Sequence, residues 1–182
     1  MSVLSPAAQQ QVTEKLIDDG LLSKEALAAL QEKSRTAGTP LFGLIASEGH
    51  VSEEDLVKSI AHVTKVPYVN LLEAHIDAKV LELLPEDLAE RYMAVPLGEM
   101  QHRLVVAMLD ADNVQAVDFL SNKVGRPLKV YAASEAGIRN VLKQYQSQIS
   151  DAVVDAISEI GGSSVLKEMQ QDATNSVLAG KN

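Results

Sequence analysis

Apolar side chains in the first third of the chain recur at the spacing of amphipathic helices, and the pattern occurs twice. Residues 16–27 are matched 29 residues later by residues 45–56. Gly suits the left-handed conformation just past a helix C-terminus, and Ser accepts hydrogen bonds from free N–H groups of the next helix. Each copy is therefore predicted to end one helix and begin another. These roles fall to Gly20 and Ser23 in the first copy, and to Gly49 and Ser52 in the second.

Four short helices are predicted from this pattern, at residues 6–19, 24–34, 41–48 and 53–64. Ser52, with Asp55 three residues later, resembles a capping box. Helices this short are marginal alone in water, so we expect them to pack on one another. They form a predicted helical subdomain at residues 1–65. A repeated helix pair of this kind serves either as plain architecture or as a shaped docking surface.

The period changes after Pro67, where extended and helical patterns begin to mix. We predict an extended piece at residues 68–71, a helix at 76–84, and another helix that has Pro85 in its first position. Strands are predicted at residues 94–97 and 104–109, joined as a hairpin by a polar connection at 98–103. Because Pro96 has no N–H group, the first of these is predicted to be an edge strand.

A helix, a strand and a further helix complete the predicted order. Asp110, Asp112 or Asn113 caps the first helix, which ends at Gly125, and the strand covers residues 128–132. Ser134 caps the last helix, which reaches Tyr145. Residues 66–146 are therefore predicted to be a small α+β subdomain with a three- to four-stranded sheet.

Residues 147–182 are predicted to be a linker or a partly helical tail. Ile149, Val153, Ile157 and Ile160 have the spacing of one amphipathic helix, which a Gly-Gly pair then interrupts. A second short helix is predicted at residues 165–169. The apolar stripe has no obvious remaining core to enter, so we expect mobility or packing against a partner. The fold class is α+β: a four-helix subdomain, a small α+β subdomain and this tail.

Composition narrows the classes of partner. The chain has 182 residues, 46% of them apolar, and a net charge of −9, so phosphate backbones and anionic lipid would repel it. Nucleic-acid binding and membrane insertion are therefore not expected. The chain has no Cys, and its N-terminus lacks the order of a signal peptide. We expect a cytoplasmic protein.

No residues in the sequence form a recognisable catalytic, cofactor or metal site. The Gly residues never form a phosphate loop, and His50, His62, His75 and His102 lack the one-turn spacing of a metal-binding pair. Acidic neighbours occur at predicted helix ends, where capping and the helix dipole explain them better than acid–base catalysis does. These are Asp18 with Asp19, Glu53 to Asp55, and Asp110 with Asp112. The predicted catalytic, cofactor and metal residues are therefore none.

Several stretches together resemble the N-terminal domain of the type II secretion and type IV pilus assembly ATPases. They are the doubled unit around Gly20 and Gly49, VPYVNL at 66–71, LPEDLAERY at 84–92, VPL at 95–97 and LVVAMLDAD at 104–112. The resemblance implies a non-catalytic docking or regulatory part of a larger hexameric ATPase, whose motor domains would follow Asn182. It also implies partners: the cytoplasmic domains of an inner-membrane secretion or pilus platform, and the ATPase domains of the same polypeptide. The location would be peripheral to the inner membrane through those partners.

Some members of this family bind cyclic di-GMP through two motif copies that begin Arg-Leu-Gly and end in Gln. Here the matching starts are Gln11-Val12-Thr13 and Pro40-Leu41-Phe42, and the matching ends are Ser34 and Val63. Both Arg cations are missing, and both Gly positions carry side chains where a ligand would need close backbone approach. These departures favour protein docking, without a cofactor. A cyclic di-GMP sensor with a degenerate motif is the first alternative, and an enzyme with an unrecognised site or a standalone adaptor are the others.

Overall fold

Four helices occupy the first part of the computed structural model, which describes residues 4–160 and the side chains of residues 4–148. Their bounds are α1 Pro6–Asp18, α2 Lys24–Ala37, α3 Leu41–Ser47 and α4 Glu53–Thr64. The four predicted helices are confirmed. α2 continues three residues beyond its predicted end at residue 34, because the left-handed residue that ends it is Gly38, with φ of 65°.

The helix ends use the caps that the repeat predicts. The hydroxyl of Ser23 accepts from the N–H of Ala26 at 3.1 Å, and the hydroxyl of Ser52 accepts from the N–H of Asp55 at 3.1 Å. Gly20 and Gly49 have φ of 71° and 74°, which a side chain would strain. The doubled pattern therefore does encode two helix–turn–helix units.

One apolar cluster holds these four helices together. It contains residues from α1, α2, α3, α4 and the turns between them. Leu16 and Ile45, which occupy the same place in the two copies of the repeat, are both fully buried in it. The other buried members are Leu4, Val12, Leu22, Leu30, Leu44, Val51 and Leu56.

A three-stranded sheet follows, in the order β1-β2-β3. The strands are β1 Ala94–Met100, β2 Arg103–Met108 and β3 Leu128–Ala132. β1 and β2 are antiparallel, and β2 and β3 are parallel because α7 Val114–Val124 connects them. β1 lies at the edge, as Pro96 predicts, and a bulge follows between Pro96 and Gly98. The α+β fold class is confirmed.

The hairpin between β1 and β2 is tighter than the sequence suggested. The predicted six-residue connection at 98–103 was wrong, since Met100 pairs with Arg103 and only two residues form the turn. Both turn residues, Gln101 and His102, have positive φ, of 48° and 66°. This is the backbone of a type I′ turn, which favours Asn and Gly. Cross-strand pairing therefore overrides the unfavourable turn residues.

Replacing His102 with Gly is expected to raise the free energy of unfolding by about 1 kcal/mol, because Gly adopts a positive φ without strain. Urea denaturation followed by circular dichroism measures the change. His102→Ala is the matched control: it removes the same imidazole but keeps a Cβ, so it should give no gain. An equal gain from both variants would mean that the imidazole, not the backbone, is responsible.

The segment before the sheet is less helical than predicted. Helix α5 Ala78–Leu81 is a single turn, so the prediction of a helix at residues 76–84 was wrong. The side chain of Asp77 accepts from the N–H of Lys79 at 2.9 Å and caps the turn, so Ile76 lies before the helix. At the other end, Pro85 stops the chain from continuing in helical geometry. It then stands at the N-cap of α6 Glu86–Tyr92, and not in its first position.

The last helix, α8 Glu135–Ile160, runs well past residue 146 without a break. Its start follows the predicted cap, because the hydroxyl of Ser134 accepts from the N–H of Gly137 at 3.0 Å. The chain divides into two units, Met1–Gln144 and Tyr145–Asn182. The short helix predicted at residues 165–169 lies outside the described residues. Within the described part, no helix is long and apolar enough to cross a membrane.

Candidate functional site

The two copies of the cyclic di-GMP-type motif lie on the four N-terminal helices. The first copy begins at Gln11 in α1 and ends at Ser34 in α2. The second begins at Pro40, directly before α3, and ends at Val63 in α4. The ends of the two copies therefore have equivalent positions on α2 and α4, whereas the first copy starts inside a helix and the second starts at a helix cap.

Two surface grooves flank α1, and both contain motif positions. The first, which we call the α1–α2 groove, has a volume of about 450 Å³, and the second, the α1–α4 groove, about 510 Å³. The α1–α2 groove is lined by Pro6, Gln9, Gln10, Thr13, Glu14, Ile17, Leu27, Gln31 and Leu41. The α1–α4 groove is lined by Gln11, Glu14, Lys15, Asp18, Asp19, His62, Val63 and Lys65. The start of the first copy and the end of the second thus meet in the α1–α4 groove.

The residues at the two Gly positions of the motif are used for packing. Thr13 is 5% exposed, and its hydroxyl donates to the carbonyl oxygen of Gln10 at 2.8 Å. Phe42 is partly buried and packs against the N-terminal apolar cluster. Both side chains fill space that Gly would leave open beside the backbone.

The charges in the α1–α4 groove do not favour an anion. Lys15 pairs with Asp19 at 2.9 Å, which neutralises one of the two Lys side chains that line the groove. Glu14 and Asp18 add two further carboxylates. Neither groove has Arg among the described residues that line it, so the planar cation suited to guanine or phosphate is missing from both.

An ion pair joins the two helix pairs on the surface. Lys33 of α2 contacts the carboxylate of Glu48, which follows α3. The Lys33 ammonium holds the pKa of the Glu48 carboxyl below its ordinary value, with a smaller contribution from nearby His50. The pair is exposed, so we expect little stability from it.

A polar cluster at the N-terminus of α4 joins the helical part to the α+β part. The carboxylate of Glu54 accepts from the hydroxyls of Tyr68 and Ser134. The neighbouring carboxylate of Glu53 accepts from the N–H of Glu135 at 2.9 Å, at the first residue of α8. The sequence explained Glu53 and Glu54 only as acids at a helix start. Their second role depends on contacts with Ser134 and Glu135, which are 80 and 82 residues away, and no local pattern reveals these partners.

Removing the carboxylate of Glu54 is expected to lower the free energy of unfolding by about 1–2 kcal/mol, because the hydroxyl of Ser134 is buried and loses its acceptor. Urea denaturation of Glu54→Ala, Ser134→Ala and the double variant measures this effect and the coupling of the two residues. Glu82→Ala, on an exposed Glu, is the control and should change stability by less than about 0.5 kcal/mol. Fully additive single effects would contradict the contact.

Helix α8 also holds the loop that follows Tyr68. The side-chain amide of Asn140 donates to the carbonyl oxygens of Leu71 and Ala74, at 2.9 and 3.2 Å. Gln144, one turn further on, donates to Ala74 at 2.8 Å. Asn and Gln four residues apart share one helix face, and this spacing was the signal that sequence reasoning missed.

The remaining candidate residues stay apart. Asp55 bonds to its own cap, Ser52, and Asp19 to Lys15. No group of three or more His, Asp or Glu side chains suited to a metal occurs in the described part of the chain. The sequence prediction of no catalytic, cofactor or metal residues stays a prediction.

Comparison with known protein families finds a match in the α+β part of the chain. Residues 64–152 match the model of the MshEN domain. The match begins at the last residue of α4 and covers the sheet and the first part of α8. The Glu53 and Glu54 contacts therefore tie the doubled helical unit to the segment that matches the MshEN domain.

Relatives extend the similarity to the helical part that precedes the residues matched by the MshEN model. The chain is 28% identical over 148 residues to the type IV pilus assembly ATPase PilB of Myxococcus xanthus, covering 81% of this chain and 26% of that protein. It is 27% identical over 151 residues to PilB of Thermus thermophilus, covering 82% of this chain and 17% of that protein. The chain thus spans about a quarter or less of the length of these relatives.

Two solved structures share the fold of this chain. MshE, in a structure determined with cdg (cyclic di-GMP), is 26% identical, with a TM-score of 0.60 over 74% of this chain and 97% of that one. The N-terminal domain of XpsE shares the fold, with 23% identity and a TM-score of 0.56 over 79% of this chain and 97% of that one. The relationship predicted from the sequence, to N-terminal domains of secretion and pilus ATPases, is confirmed.

Proposed function

We propose that this chain is the non-catalytic docking and regulatory domain of a type IV pilus assembly or type II secretion ATPase. In this role it binds the cytoplasmic part of an inner-membrane assembly platform and hydrolyses no nucleotide itself. Its place would be the cytoplasmic side of the inner membrane, reached through that partner. The similarity to PilB over four-fifths of the chain supports the parent class.

One observation favours docking over ligand sensing. The motif positions that would contact a dinucleotide carry neutral Gln11 and Pro40, and the Gly positions carry Thr13 and Phe42, which pack into the fold. The buried positions of the repeat are kept, since Leu16 and Ile45 are fully buried. The repeat therefore retains its architecture without the cations that an anionic ligand requires.

Biolayer interferometry with the purified 182-residue chain tests the docking function. The partner is the cytoplasmic domain of the platform protein from the same organism. We expect saturable binding with a Kd in the micromolar range or tighter, as for transient assemblies of this kind. The heat-unfolded chain is the control. No saturable response from a folded sample would contradict the docking function.

Cyclic di-GMP binding is the second candidate, because MshE has the same fold and was determined with this ligand. Isothermal titration with cyclic di-GMP, and with GTP for selectivity, tests it. We expect no saturable heat from the wild-type chain. Gln11→Arg combined with Thr13→Gly restores one motif start and is the matched gain-of-binding variant. Selective micromolar binding by the wild-type chain would establish a degenerate sensor and overturn our argument from the missing Arg and Gly.

A further inference from the structure

The outer edge of β3 presents main-chain groups that follow a clear alternation. The N–H of Leu104 donates to Pro127, and the N–H of Ala133 donates to Met108, so odd-numbered residues of β3 face β2. On the other side, the N–H of Ala132 donates to Pro67, and the carbonyl of Ala132 accepts from Val69. Even-numbered residues therefore face outward.

Two outward-facing residues of β3 have no strand partner on that side within residues 4–160. The bridge to the 67–69 segment covers only Ala132. For the outward N–H and C=O groups of Leu128 and Val130, no hydrogen bond is found within residues 4–160. Both residues are partly exposed. We call the outward main chain of residues 128–130 the β3 edge. Such an edge can accept a further strand.

The surroundings of the β3 edge are basic in a chain that is acidic overall. Residues 119–134 contain Lys123, Arg126 and Lys129 and no acidic residue, although the chain carries a net charge of −9. The register places exposed Arg103 beside Pro127, at the same end of the sheet. Glu99 offsets one charge through its contact with Arg126 at 2.7 Å. The surface stays positive after this pair is subtracted.

The opposite edge of the sheet is closed to strand addition. β1 is the other edge strand, and Pro96 in its middle has no N–H to donate. The bulge next to Pro96 interrupts the regular ladder further. Strand addition to the sheet is therefore restricted to β3.

We propose that the β3 edge binds an extended acidic segment of a protein partner, which adds to the sheet as a fourth strand. This inference rests on the proposed docking function and names the surface used. Hydrogen bonds to Leu128 and Val130 supply the attachment, and carboxylates of the partner face Lys129 and its basic neighbours. Lys129 also repels other basic edges, so the same residue disfavours pairing with a second copy of β3.

Nuclear magnetic resonance titration of the ¹⁵N-labelled full chain tests this inference. The probes are two capped peptides of about eight residues, a usual strand length, one alternating Glu with Val and the other alternating Lys with Val. The Glu peptide is expected to shift the amide signals of residues 128–130 saturably, and to slow hydrogen exchange of the Val130 amide. The Lys peptide is expected to leave both unchanged.

Two variants separate the hydrogen bonds from the charges. Val130→Pro removes an outward N–H without touching the ladder to β2 and should abolish binding, while Val130→Thr keeps that N–H and should bind normally. Lys129→Glu should weaken the Glu peptide about three- to fivefold and favour the Lys peptide. Because Lys129→Glu leaves the backbone intact, it tests the inference even if the Pro variant unfolds.

Any one of four results would overturn the inference. The two peptides could give equal shifts of the amide signals, the shifts could be confined to residues outside 128–130, or the titration could fail to saturate. The chain could also bind vesicles of anionic lipid more tightly than the Glu peptide. Binding of the platform domain separates failure of the β3-edge inference from failure of the proposed docking function. If it binds wild type and Val130→Pro equally, docking stands and the β3 edge is wrong. If it binds neither while the Glu peptide still binds, the edge stands and the platform assignment is wrong.

Discussion

Leu16→Ala is expected to lower the free energy of unfolding by about 3 kcal/mol, the largest effect that a single truncation in the repeat should have. Leu16 is fully buried in the N-terminal apolar cluster, so truncation loses its transfer free energy and leaves a cavity. A loss of this size is a large fraction of the usual stability of a domain.

Chemical denaturation followed by circular dichroism at several wavelengths measures this loss. Leu72→Ala is the matched control, because Leu72 is 43% exposed and leaves no buried cavity. Its effect should stay below about 1 kcal/mol. Equal losses from the two variants would mean that Leu16 is not in a tightly packed core.

Two Gly-to-Ala substitutions in helices are expected to have opposite signs. Gly43→Ala in α3 should stabilise by about 0.5–1 kcal/mol, because a Cβ at this position meets no atom within 4 Å and Ala is the better helix former. Gly137→Ala in α8 should destabilise by about 1–3 kcal/mol. Its Cβ would lie 3.0 Å from the Cβ of Leu71 and 3.1 Å from the hydroxyl oxygen of Ser134.

The crowding at Gly137 is costly because its neighbours are fixed. The carbonyl of Leu71 is held by Asn140, and the hydroxyl of Ser134 by Glu54. Thermal unfolding of both variants beside wild type measures the difference in one series. A rise in melting temperature for Gly137→Ala would show that the 71–76 loop gives way, and that α8 does not hold it firmly.

Local chemistry made much of the fold predictable. The repeat gave the four helices of residues 4–65, because Gly20, Gly49, Ser23 and Ser52 act through backbone groups a few residues away. Pro96 gave the edge position of β1, since a missing N–H has the same consequence in any sheet. The resemblance to the family could also be recognised from the sequence, because it depends on the order of several short segments.

The features of the fold that the sequence did not predict depend on contacts between residues far apart in the chain. The two-residue turn at Gln101 and His102 was not predicted, because pairing between β1 and β2 outweighs the local preference for Asn and Gly. The hydrogen bonds that hold residues 74–76 were not predicted, because they come from Gln144, which is 70 residues from Ala74 and 68 from Ile76. The pattern of residues near position 76 does not indicate that Gln144 will contact this loop.

The sequence by itself therefore determined the helix caps, the apolar faces and the missing Arg of the motif. The tertiary structure alone decided that Glu53 and Glu54 join the helical unit to the α+β part. It also decided that Thr13 is buried, and that the outward groups of Leu128 and Val130 face no strand within residues 4–160. The physical reason is range: caps and missing side chains act within a turn of the chain, whereas these contacts depend on which distant segments fold against each other.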